Sequence, residues 1–104
     1  MEAKVVLITC GSEENARQIA EALIAEKLAA CVNIIPGLTS VYAWEGKVCR
    51  ETEWLLIVKT TGQRIAALEK RTQELHSYST PEFVVLEPEY LSPKYGEWLK
   101  SALP

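Results

Sequence analysis

Apolar positions recur along this chain in two periods, and the switches between them mark its elements. Lys4 to Thr9 is a short apolar, β-branched run that predicts a first strand. Ser12 then reads as a helix N-cap, with Glu13 and Glu14 in the first turn, where the helix dipole favours acidic side chains. Ala16, Ile19, Ala20, Leu23, Ile24 and Leu28 follow at helical spacing and form the apolar stripe of a first helix, with Lys27 assigned to its last turn. A second strand region begins near Ala30, is broken or bent at Pro36-Gly37, and resumes to Trp44. Glu45-Gly46-Lys47 reads as a turn and Val48 to Lys59 as a third strand, so the two strands make one long hairpin.

Thr60-Thr61-Gly62-Gln63 fits a T-x-x-Q capping box. Ile65, Leu68, Thr72 and Leu75 predict a second amphipathic helix, and His76 to Pro81 a loop. Phe83 to Leu86 is the fourth strand, and Ser92-Pro93 opens a short terminal helix carrying Tyr95, Trp98, Leu99 and Ala102. The order β-α-β-β-α-β plus a helix is that of an α+β, ferredoxin-like sandwich.

The hairpin has a consequence for assembly. Ala30 to Trp44 would span roughly 50 Å at about 3.3 Å per residue, against roughly 30 Å for a small domain. Its tip carries Val41, Tyr42, Trp44, Val48 and Trp54, more apolar surface than a solvated arm tolerates. Trp44 and Trp54 are therefore expected to be buried between subunits.

Length and composition narrow the classes. The 104 residues fit one domain, taken as 1–104, and 48% apolar with 24% charged residues is ordinary for a globular chain. A net charge of −3 gives no basic patch for nucleic acid. The run Val5 to Ile8 is too short for a secretory signal, and no run approaches a membrane span, so the expectation is a cytoplasmic protein without membrane contact. Cys10, Cys31 and Cys49 form no CxxC pair, so neither a zinc finger nor a thioredoxin-type site is signalled. The RNP1 motif of an RNA-binding RRM is missing from the third strand, and Thr9-Cys10-Gly11-Ser12 lacks the Gly-rich loop and following arginine of an acylphosphatase. No Ser–His–carboxylate set can be assembled, and no enzyme is expected.

Several segments together resemble the CutA divalent-cation-tolerance family: Glu26 to Lys47 (EKLAACVNIIPGLTSVYAWEGK), Glu53 with Val58-Lys59-Thr60, His76 to Glu82 (HSYSTPE), and Tyr95 with Trp98. The resemblance implies a homotrimer of ferredoxin-like subunits, akin in shape to the PII signalling proteins. It also implies a non-enzymatic role in tolerance of divalent metal ions, copper above all, with no obligatory cofactor. The alternative is a structural or scaffolding trimer whose metal binding is incidental.

Candidate site residues follow from both readings. His76, the only histidine, is expected at the end of the second helix, either as a metal ligand or as a hydrogen-bonded loop residue. Some CutA members have a cysteine on the first strand and a second histidine as proposed copper ligands; Ile8 and Leu75 stand there in this chain. Glu51, Glu53, Leu55, Ile57 and Lys59 share one face of the third strand by alternation, which offers either a hard-cation site or ion pairs across subunits. Tyr42 and Trp44 are assigned to the other parity on the second strand. In the family, residues such as Tyr42, Trp44, Tyr78, Glu82 and Trp98 gather around clefts between subunits, and Cys31 lies in the signature stretch. The expected ligand-binding set is thus Cys31, Tyr42, Trp44, Glu53, Lys59, Tyr78, Glu82 and Trp98, with a small anion among the expected ligands.

Overall fold

The computed structural model describes residues 2–104. The first strand, β1 (Ala3–Cys10), sits inside the sheet, and its alternate residues Val6, Ile8 and Cys10 are fully buried. Helix α1 (Glu13–Ala25) starts where expected: the Ser12 hydroxyl accepts the Asn15 amide at 3.1 Å. It lays Ala16, Ile19 and Leu23 on β1. Leu56 and Val58 of β3 (Lys47–Thr61) and Leu68 of α2 (Ile65–Leu75) complete this core. Strand β2 (Cys31–Trp44), the short β4 (Val84–Leu86) and α3 (Pro93–Ala102) complete the elements, with Ser92 capping α3.

The sheet order is β2-β3-β1-β4, with every neighbouring pair antiparallel. The chain is thus a mixed α+β fold with a four-stranded antiparallel sheet and, among the described residues, three α-helices. β2, at 14 residues and about 3.3 Å each, accounts for the 45 Å long axis. The hairpin tip runs beyond the core, leaving Val41, Trp44 and Val48 exposed in the single chain. Glu45 and Gly46 both have positive φ, the primed geometry that matches strand twist in two-residue hairpins.

One local expectation is decided and three are corrected. At Pro36-Gly37 the strand is bent and not broken, by a bulge: Ile35 pairs with Leu55 and Leu38 with Glu53, so three steps along β2 match two along β3. Gly37 takes φ +70, which the turn of such a bulge requires and a β-carbon resists. The proposed capping box does not form. Thr60 is buried in β3 and its hydroxyl donates to the Leu28 carbonyl at 2.7 Å, while a 3-10 turn, Gly62–Arg64, leads into α2. Lys27 lies past α1 at φ 57. Its N–H bonds to the Ile24 carbonyl and that of Leu28 to Leu23, a Schellman closure. Finally, Trp54 packs against the chain's own core opposite Cys10, because alternation turns it to the helix-covered face.

Candidate functional site

The bulge decides which side chains meet. Beyond it, even-numbered residues of β2 pair with odd-numbered residues of β3: Leu38 with Glu53, Ser40 with Glu51, Tyr42 with Cys49 and Trp44 with Lys47. Paired residues project to the same face of a sheet. Tyr42 and Trp44 therefore share the face of Glu51 and Glu53, which corrects the opposite parity expected of them. The Tyr42 hydroxyl donates to the Glu51 carboxylate.

The loop after α2 supplies the opposite wall. His76 caps α2 and is 9% exposed. Its Nδ1 accepts the Tyr78 amide N–H at 3.0 Å, so the ring proton sits on Nε2, which lies 2.8 Å from the Thr9 carbonyl and donates to it. The Cys10 Sγ is 3.8 Å from the same nitrogen. Tyr78 is thereby held at its backbone, and its hydroxyl donates to Glu53 Oε2 at 2.8 Å. Asn15 ties the loop to α1, donating to the Leu75 carbonyl at 3.0 Å and accepting the Ser77 N–H at 3.2 Å. Gly11 makes room for the tyrosine: a β-carbon there would stand 2.6 Å from the Tyr78 hydroxyl.

The result is a cleft of about 620 Å³ between hairpin and loop. Tyr42, Trp44 and Tyr78 give it aromatic walls, and Glu51, Glu53 and Glu82 give it charge. Burial, and then the Glu53 charge, push the Glu82 carboxyl upward. Burial, the hydrogen bond to Glu53 and the surrounding negative charge push the Tyr78 hydroxyl well above its ordinary range. Burial and Glu53 raise the Cys10 thiol to about 11, which keeps it protonated at neutral pH. A larger hollow between α3 and the end of β3 carries less chemistry. Its Arg64 is committed to the Lys27 and Pro104 carbonyls and the Thr61 hydroxyl.

The residues expected from sequence divide into two groups. Tyr42, Trp44, Glu53, Tyr78 and Glu82 line the cleft. Cys31 and Lys59 pair across β2 and β3, with the Lys59 ammonium 4.0 Å from Cys31 Sγ and donating to the Asn33 side-chain oxygen. Trp98 packs against Tyr95 with ring centroids 5.5 Å apart. Burial and, second, Cys31 push the Tyr95 hydroxyl upward. Six residues along one strand separate Glu53 from Lys59, roughly 20 Å. Sequence reasoning missed Gly11, Asn15 and Asn33. Asn15 alone left a trace, as a polar residue at a buried position of the helical stripe.

As a metal ligand His76 does not fit in this arrangement. A ligand needs a free imidazole lone pair, and here Nδ1 accepts a hydrogen bond while Nε2 carries the proton. Among the described residues no three His, Cys, Asp or Glu side chains stand close enough to hold one ion.

The chain matches the family model described as CutA1 divalent ion tolerance protein over residues 4–102. It is similar to a divalent-cation tolerance protein CutA of Thermus thermophilus, 52% identical over 97 residues, 93% of this chain and 94% of the relative. It is also similar to the chloroplastic protein CutA 1 of Oryza sativa, 45% identical over 94% of this chain but spanning 55% of that protein. Among solved structures, CutA1 from Oryza sativa superposes with a TM-score of 0.96 at 42% identity, covering 100% of this chain and 95% of that one. The periplasmic divalent cation tolerance protein CutA from Archaeoglobus fulgidus superposes with a TM-score of 0.94 at 35% identity, covering 98% and 99%. No described helix of this chain is long and apolar enough to cross a membrane. On sequence and fold together, the chain belongs to the CutA1 divalent ion tolerance family.

Proposed function

We propose that this chain is a non-enzymatic binding protein serving the tolerance of divalent cations, copper among them, in the cytoplasm. It works as a homotrimer whose ligand site is the cleft at the hairpin. The observation that carries the assembly is the hairpin itself. The single chain exposes 6581 Å², against about 5,800 Å² for a folded monomer of this mass. Its radius of gyration is 14.3 Å, against about 13 Å for a compact domain of this length. The excess sits in an arm bearing exposed Val41, Trp44 and Val48, which a neighbouring copy would cover. In that assembly the neighbour closes the cleft, as in a PII-like inter-subunit site.

Two features support a binding role over catalysis. The Cys10 thiol is held protonated, and the one imidazole beside it already donates its proton to a backbone carbonyl. Lys59, with Cys31 and Asn33, supplies the complementary surface for a small anion. The hydrogen-bonded His76 ring favours a second reading, a scaffolding trimer with incidental metal binding. Titration with copper and zinc under reducing conditions separates the two. Saturable binding supports the first, and its absence from a well-folded protein the second. Light scattering coupled to size exclusion tests the assembly: three chains per particle are expected at micromolar concentration, and a stable monomer or dimer refutes it.

A further inference from the structure

The cleft holds three carboxylates and no basic side chain. None of Glu51, Glu53 and Glu82 takes part in the ion pairs found among the described residues, which join Lys4, Arg17 and Arg71 to other acids. Glu53 is the decisive member, only 7% exposed. Its Oε2 accepts from Tyr78, and among the described residues no donor bonds to Oε1. A largely buried carboxylate with no basic side chain beside it favours a cation brought from outside.

We propose that the cleft takes an organic cation, an ammonium carried on a carbon body, with Glu53 as its counter-ion and Trp44 and Tyr78 as its walls. The inference rests on the reading of the cleft as the ligand site and names the class of ligand. Three features select an organic cation over a bare metal ion. The carboxylates are too dispersed for a three-ligand metal set. The volume of about 620 Å³ suits a small molecule. Aromatic faces attract ammonium groups through their quadrupole, an attraction that strengthens when the cation is desolvated. Every charged side chain of the cleft is acidic, which disfavours an anion there, so the Lys59 group is a separate surface.

The test is calorimetric titration of the intact protein with benzyltrimethylammonium, with sodium chloride as the ionic-strength control and zinc titrated in parallel. Saturable binding is expected, weakened at least tenfold by Glu53→Gln and severalfold by Trp44→Ala, and unchanged by Lys59→Met. Glu53→Gln keeps an acceptor for Tyr78, and the exposed Glu82→Gln gives a second variant with no burden on folding, expected to weaken binding severalfold. Failure of benzyltrimethylammonium to bind while zinc binds with dependence on Glu53 overturns the inference but leaves the cleft as the site. Binding that ignores both glutamates, or that follows Lys59, overturns the inference and the site together.

Discussion

Replacing Gly11 by alanine probes the wall of the cleft without touching a charged group. The new methyl would sit 2.6 Å from the Tyr78 hydroxyl and 3.2 Å from two ring carbons. The ring must retreat, and its hydroxyl leaves Glu53. A hydrogen bond to a charged acceptor contributes about 1.5–3 kcal/mol, and the lower end applies to the half-buried Tyr78. A ring forced off its rotamer adds about 0.5–1.5 kcal/mol. Gly11 does not sit at positive φ, so alanine strains no backbone and gains about 0.4–1 kcal/mol by stiffening the unfolded chain. The expected net loss is about 1–2.5 kcal/mol, or roughly 5–12 °C in Tm for a domain of this size. The assay is a double-mutant cycle by thermal unfolding at fixed protomer concentration. With Tyr78→Phe the closest contact and the hydrogen bond are gone, and Gly11→Ala should then cost clearly less, since only the 3.2 Å ring contacts remain. Equal cost in both backgrounds, within about 0.5 kcal/mol, would mean that Gly11 is not there for Tyr78.

Other consequences are as open to measurement. Lys27→Gly should stabilise by about 0.5–1 kcal/mol in denaturant unfolding, because a glycine relieves the left-handed Schellman position while keeping its backbone bonds; a loss would refute the motif's strain. Cys10 is raised from an ordinary 9.0 to about 11, so its burial stabilises fully below pH 9 and that stability is lost as pH rises towards 11, by roughly 2–3 kcal/mol at about 1.4 kcal/mol per pH unit. Cys10→Ser should flatten that alkaline decline, and an unchanged slope would contradict it. Trp44 is 59% exposed within one chain, so Trp44→Ala should weaken the trimer on dilution while secondary structure by circular dichroism persists. A variant that stays trimeric at nanomolar concentration with unchanged Tm would put Trp44 on an outer surface.

Much of this arrangement was legible along the chain, and the exceptions share a cause. Strand and helix periods, the Ser12 and Ser92 caps and the long hairpin are local signals, because each depends on residues a few positions apart. The parity flip at Pro36-Gly37 is not local. A break is visible in the sequence, but whether it ends the strand or inserts one residue depends on the partner strand's register. That single residue carries Tyr42 and Trp44 onto the face of Glu51 and Glu53. Thr60-Thr61-Gly62-Gln63 misled because β3 runs two residues further and the Thr60 hydroxyl is drawn to the Leu28 carbonyl across the fold. His76 was placed correctly at the end of α2, but its partners, Thr9 and Tyr78, come from a distant strand and from its own loop. Lys27 gave no sign of its left-handed backbone, since glycine is the residue that normally advertises that position.

The cleft between hairpin and loop is the proposed cation site, and the three tryptophans report on it separately. Trp44 lines the cleft, Trp54 packs on the helix-covered face, and Trp98 pairs with Tyr95 on α3. The ¹H–¹⁵N indole signals can be followed while zinc and benzyltrimethylammonium are titrated into the intact protein. The Trp44 signal is expected to shift saturably with benzyltrimethylammonium while those of Trp54 and Trp98 stay in place. A shift confined to Trp98, or saturable binding that leaves Trp44 unmoved, would contradict it.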